Sequence, residues 1–178
     1  TLKYLFYTTM QKYIYVSLFI FSMNNVNAQL IIANNQNNVQ LSESTLMQFE
    51  DGYTNGIILP ANDQAPINAT NGTFILDQSD KRVKVFENNQ WKNLSYEGNL
   101  SDIISNPSDD LGDGVILGSE TSNAKGVLVL ESDDKSLILP RINDPVSNVK
   151  SPYPGMICYD TKSRTICIYD GKVWNFWK

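Results

Sequence analysis

Residues 155–174 read GMICYDTKSRTICIYDGKVW, and their apolar positions alternate. Ile157 and Tyr159 fall on one side, Met156 and Cys158 on the other. After the polar run 160–164, Ile166 and Ile168 take one side, Cys167 and Tyr169 the other. β-Branched and aromatic residues at period two, bounded by polar turn residues, predict strands. Asp170-Gly171 supplies a hairpin turn, because both residues tolerate positive φ. Residues 173–177 then predict a last strand, completing a three-strand meander. A turn centred between Lys162 and Ser163 sets Ile157 opposite Ile168, Tyr159 opposite Ile166 and Cys158 opposite Cys167. That register keeps four apolar side chains on one face.

Residues 72–91, GTFILDQSDKRVKVFENNQW, repeat the pattern at a constant offset of 83 positions. Phe74 answers Ile157, Leu76 answers Tyr159, Asp77 answers Asp160, Val83 and Val85 answer Ile166 and Ile168, and Trp91 answers Trp174. Asn88-Asn89 takes the place of the Asp170-Gly171 turn. Upstream, ILP at 58–60 answers ILP at 138–140, offset 80, with the length change absorbed in the loops 61–71 and 141–154. Register kept in strands and length varied in loops is how a structural repeat behaves. Residues 46–50 and 127–131 extend the match weakly.

The rest of the chain divides around these copies. Residues 1–28 predict a cleaved signal peptide: Lys12 gives a positive start, 13–21 an apolar stretch, and Val26-Asn27-Ala28 a small-x-small site before Gln29. Met10 is the expected true start, so residues 1–9 read as upstream translated sequence. A membrane anchor is the alternative, but Gln11 and Lys12 break the apolar run and leave it well short of about 20 residues. Residues 29–95 form β module 1, 96–114 a polar linker and 115–178 β module 2. Within these, 39–41 and 115–117 predict strands, and 100–104 is the best helix candidate outside the leader, limited by Pro107. The expected fold class is all-β: two small antiparallel meander modules joined by the linker. A module of about 50 residues is short of core. Packing of the two modules, or of several chains, would relieve that shortage, and Trp91 and Trp174 are each expected to cover the apolar face of their meander.

Composition narrows the chemistry. The net charge is −5 with no basic stripe, which argues against nucleic acid and against anionic membrane surfaces as partners. The chain has no histidine, which removes the usual general base, the Ser-His-Asp arrangement and the common zinc ligand set. No catalytic, metal or cofactor residues are expected, and a carboxylate-based hydrolase is the remaining enzymatic alternative. Asp109, Asp110 and Asp113, near Gly112 and Gly114, could make a calcium loop, but their spacing departs from the D-x-[DN]-x-[DN]-G pattern, and a solvated acidic linker is the simpler reading. Cys158 and Cys167 are the only cysteines. In an exported chain, opposite each other on adjacent strands, they read as a disulfide, or else as two buried thiols. Ile75 and Lys84 occupy the matching positions in module 1, so the fold cannot depend on such a bridge. Tyr153, Tyr169, Trp174 and Trp177 could stack on sugar rings, while core packing or an oligomer interface is the more ordinary use of such residues.

The residues Leu139-Pro140-Arg141, Gly155-Met156-Ile157, Tyr159-Asp160-Thr161, Tyr169-Asp170-Gly171 and Trp174 resemble a C-terminal module of secreted proteins in Bacteroidetes-type bacteria. That module reads roughly LDLxSxxKGLLPPR…GLxxYNTxxxxxxxYdGxxW and is similar to those of tail-fibre-like and adhesin-like surface proteins. The likeness covers about residues 115–174 well and 39–91 loosely, with one Pro rather than two before Arg141. It implies no catalytic residues. The expected protein is an exported, non-enzymatic structural or adhesive surface component, with no membrane span once the leader is removed. Its expected partners are copies of itself, other surface proteins or glycans, with a carbohydrate-binding module as the second reading.

Overall fold

A computed structural model describes residues 29–40, 42–104, 112 and 114–178 of the chain. The predicted leader, 1–28, and Asp109, Asp110 and Asp113 lie outside the described residues. The fold is nearly all β, with one short helix.

Both meanders form, and they form alike. The first joins β5 (Phe74–Asp77), β6 (Arg82–Glu87) and β7 (Gln90–Asn93); the second joins β12 (Met156–Asp160), β13 (Thr165–Tyr169) and β14 (Trp174–Trp177). Ile157 pairs with Ile168, Cys158 with Cys167 and Tyr159 with Ile166, the register the alternation dictates. Phe74 pairs with Val85 and Leu76 with Val83 at the same offset. Positive φ falls at matching positions, Lys81 at 59° with Arg164 at 60°, and Gly72 at 95° with Gly155 at 84°.

The second turn of the first meander is Asn88-Asn89, as the sequence suggests, with Glu87 paired to Gln90, whereas that of the second meander sits one residue later than expected. Tyr169 pairs with Trp174, and the Asp170 amide donates to the Val173 carbonyl, which leaves Gly171-Lys172 as the turn. Asn88, at φ 50°, therefore answers Gly171, at 90°, and Glu87 answers Asp170. Asp170 is held out of the turn by its own side-chain hydrogen bonds, described below.

Each meander carries a short parallel strand on its first edge. β4 (Ala61–Asn62) lies along β5, and β11 (Arg141–Ile142) along β12. The Leu76 amide donates to the Pro60 carbonyl in one copy, the Tyr159 amide to the Pro140 carbonyl in the other. The Leu-Pro element thus fixes where this edge strand begins.

The N-terminal parts repeat too. β1 (Leu30–Ile32) runs parallel to β2 (Thr45–Phe49), as β8 (Val115–Leu117) runs parallel to β9 (Leu128–Leu130). The Glu50 amide donates to the Ile32 carbonyl and the Glu131 amide to the Leu117 carbonyl. The strand expected at 39–41 is absent at Val39 and Gln40; a 3₁₀ turn at Gln36–Asn38 precedes them, and the strand is β1 instead. Asn34, Asn35 and Asn38 are drawn into that turn by Glu50, whose carboxylate accepts both amides and the Asn38 side chain. The helix expected at 100–104 is also absent: the Ser101 amide donates to the Asn99 side chain, a local bond that competes with helix. The helix is α1 (Pro145–Asn148), opened by a proline that has no amide to waste.

The copies exchange strands. β3 (Ile57–Ile58) of the first half pairs with β12 of the second, Ile57 against Ile157. β10 (Ser136–Leu137) of the second half pairs with β2 of the first, Ser136 against Thr45. The meanders pack face to face on one core of Leu76, Val83, Ile157 and Ile168, with Ile57, Leu59, Leu94, Leu100, Ile103 and Leu139 around it. The packing is staggered. The first meander buries Leu76 and Val83, whereas their counterparts Tyr159 and Ile166 are part-exposed and exposed. Only two of the four side chains expected on the second meander's apolar face are therefore buried there. The opposite face of β12 and β13 closes a second core of Ile142, Met156, Cys158 and Cys167 beneath Val149, Tyr169 and Trp174.

Candidate oligomerisation surface

The motif residues that mark the C-terminal half build turns. Asp160 is buried; one carboxylate oxygen accepts the Asp144 and Lys162 amides and the other the Ser163 amide. Burial alone would raise its pKa, but the hydrogen bonds from Ser163, Lys162 and Asp144 outweigh it and hold the group below its ordinary 3.8. Asp77 does the same in the first copy, accepting from Ser79 and from the Lys84 ammonium at 2.6 Å. Burial pushes its pKa up and the bonds from Lys84 and Ser79 pull it further down. Asp170 has no solvent exposure; its side chain accepts the Lys172 and Val173 amides and the Asn175 side chain. Residues 98–99 lie directly against this turn, the Asn99 amide donating to the Asp170 carbonyl at 3.0 Å. A side chain at Gly98 would collide with that carbonyl. The front of the predicted linker is therefore docked on the second meander.

The two cysteines meet. Cys158 lies opposite Cys167, both are fully buried, and both are thiols. The hydrogen bond to Cys167, together with burial, holds the Cys158 thiol far above its ordinary range. Thr165 lies beside Cys167, their Oγ1 and Sγ atoms 3.8 Å apart. In the first copy the same cross-strand position pairs Ile75 with Lys84.

The four aromatic residues do not make one platform. Tyr169 and Trp174 pack together, centroids 5.4 Å apart, over the second core. Trp177 is three residues along β14, and an odd spacing on a strand points to the opposite face. Its indole donates to the Leu94 carbonyl of the first half. The Tyr153 hydroxyl accepts the Ile104 amide. Trp91 packs on Phe86 and donates to the Pro66 carbonyl, so it pins a loop. Trp91 and Trp174 are half-buried and lie on the face away from the shared core, not over it as the repeat suggested.

β8 and β9 leave an aliphatic surface open. Val115, Ile116 and Leu117 pair with Leu128, Val129 and Leu130, and none of the six is buried. Continuous aliphatic strands in parallel pairing are the pattern of sheets covered on both faces. The sequence carries that signal as VIL and LVL, apolar without alternation, yet among the described residues neither strand has a second partner strand; Val115 and Leu128 are exposed and the other four only half-buried. Elsewhere, no helix among the described residues is long and apolar enough to cross a membrane. Among the described residues no group of three or more His, Cys, Asp or Glu is placed to hold a metal ion.

Residues 116–178 match the family model of a phage tail like trimerisation region. No curated protein and no solved structure matches the chain. The family match begins inside β8 and runs through β9 and the whole second meander. At this level it agrees with the resemblance to tail-fibre-like modules, and it supports a homo-oligomeric chain with a structural role.

Proposed function

We propose that this protein is an exported, non-enzymatic component of a fibre-like surface assembly, built as a homotrimer and offered to the exterior for structural or adhesive contact. The observation that carries the proposal is the trimerisation-region match over residues 116–178. The chemistry of the acids supports it: Asp77, Asp160 and Asp170 are each committed to several donors in a turn, which leaves none of them free as an acid or base. Export rests on the leader pattern of residues 1–28.

The test is sedimentation equilibrium on the purified chain. A mass near three times that of the 20.1 kDa chain is expected, less whatever leader is removed. A chain that stays at the mass of one copy across the accessible concentration range would end the homotrimer reading.

A further inference from the structure

We infer that the β8–β9 ribbon is the seam where copies of this chain meet, its aliphatic side chains forming a core shared between subunits. The inference rests on the homotrimer proposed above and assigns the contact within it. Two paired strands are too little to stand alone in water, and this pair is apolar on both faces. Val115 is 55% exposed, Leu128 43% and the neighbouring Val127 65%.

The chain holds an internal counterpart that indicates what is missing. β2 stands to β1 as β9 stands to β8, and β2 is covered: Leu46 and Met47 are 2% and 5% exposed. Its second edge is filled by β10, a strand from the other half of the chain, with Leu137 against Met47. β9 has no strand on that edge among the described residues. Within one chain the strand that covers β2 comes from a second copy of the repeat. Among the described residues neither copy of the repeat supplies such a strand to β9, and the seam assigns that place to another subunit. The trimerisation match starts at residue 116, in the middle of β8, so the ribbon lies at the head of the matched segment. Three subunits related by a closed rotation bring equivalent ribbons to one axis, where each hides its neighbours' aliphatic residues.

Two full-length variants and a cross-link test the seam. Leu128→Asp places a charge in it and should drop the sedimenting mass threefold, to one copy, with the far-ultraviolet β signal kept. Phe176→Asp charges the exposed face of β14, the rival surface, and should leave the mass unchanged. Should Leu128→Asp fail to fold, Leu128→Cys still reports: mild oxidation should give disulfide-linked chains, whereas Tyr96→Cys should give none. A trimer that survives Leu128→Asp, or that yields no Leu128→Cys cross-link, overturns the seam and leaves the trimer standing. Loss of the trimer in Phe176→Asp alone moves the contact to β14 and overturns it too. A wild type with the mass of one copy defeats the trimer itself, and the seam with it.

Discussion

Cys158 stands directly across β12 and β13 from Cys167, with neither side chain reached by solvent. Held as thiols, the two sulfurs are shielded from reagents in the folded chain and react only on unfolding. In an oxidising compartment the same placement lets them close into a cross-strand disulfide. Mass spectrometry of the secreted protein, without and with reductant, should differ by about two hydrogens per chain. Because Ile75 and Lys84 serve the same place in the first meander, Cys158→Ala with Cys167→Ala should still fold. Each truncation should cost about 1 kcal/mol, roughly the burial of one methylene-sized group. A double variant with no folded baseline in urea titration would show that the pair is indispensable.

Asp170→Ala removes the acceptor of the Lys172 and Val173 amides and of the Asn175 side chain at once. Leaving buried donors without partners should lower stability by about 2–4 kcal/mol. Equilibrium urea unfolding measures it. Glu87, the counterpart before the Asn88-Asn89 turn, is exposed, and Glu87→Ala should cost less than about 0.5 kcal/mol.

Acid should weaken the fold through Asp77 and Asp160. Both carboxyls sit below their ordinary 3.8 in the folded chain, despite burial, because their hydrogen bonds favour the charged form. A depressed folded value means that stability is complete above the ordinary value and is lost as pH falls through and below it. The Tm should hold steady from about pH 6 to pH 5 and fall below about pH 4. Asp160→Asn should start lower and decline less steeply; an unchanged acid slope would remove Asp160 from the account.

Gly98→Ala tests the docking of residues 98–99 on the second hairpin turn. A methyl there meets the Asp170 backbone carbonyl, which cannot swing aside as a side chain could. Overpacking of this kind costs about 1–3 kcal/mol. Gly52→Ala is an informative contrast: Gly52 has φ 90° but open space around it, so its cost comes from the backbone alone.

The meanders were legible because their information is local. Alternation, turn chemistry and an ungapped offset fixed the pairing of Ile157 with Ile168 and of Phe74 with Val85 before any tertiary contact was needed. The turn at Gly171-Lys172 was misplaced by one residue because the Asp170-Gly171 dipeptide signals a turn equally well in either frame. What accompanies the observed frame is the Asp170 carboxylate taking the Lys172 and Val173 amides and the side chain of Asn175, a residue further along. β1 and the strand exchange of β3 and β10 were not legible. Two or three residues carry no period, and their partners lie far along the chain, Ser136 against Thr45 and Ile57 against Ile157. Of the candidate site, the aliphatic runs 115–117 and 127–130 were visible, but their lack of alternation, the mark of parallel strands, gained meaning only beside the covered β2.

Synthesis proceeds from the N-terminus, so the first half leaves the ribosome with two of its strands unaccompanied. β2 waits for Ser136 and Leu137, and β3 waits for the edge offered by Met156 and Ile157. Neither half can finish alone, and pairings this distant form slowly. Arrival of residues 136–157, rather than any early event, therefore sets the moment at which the N-terminal half becomes native.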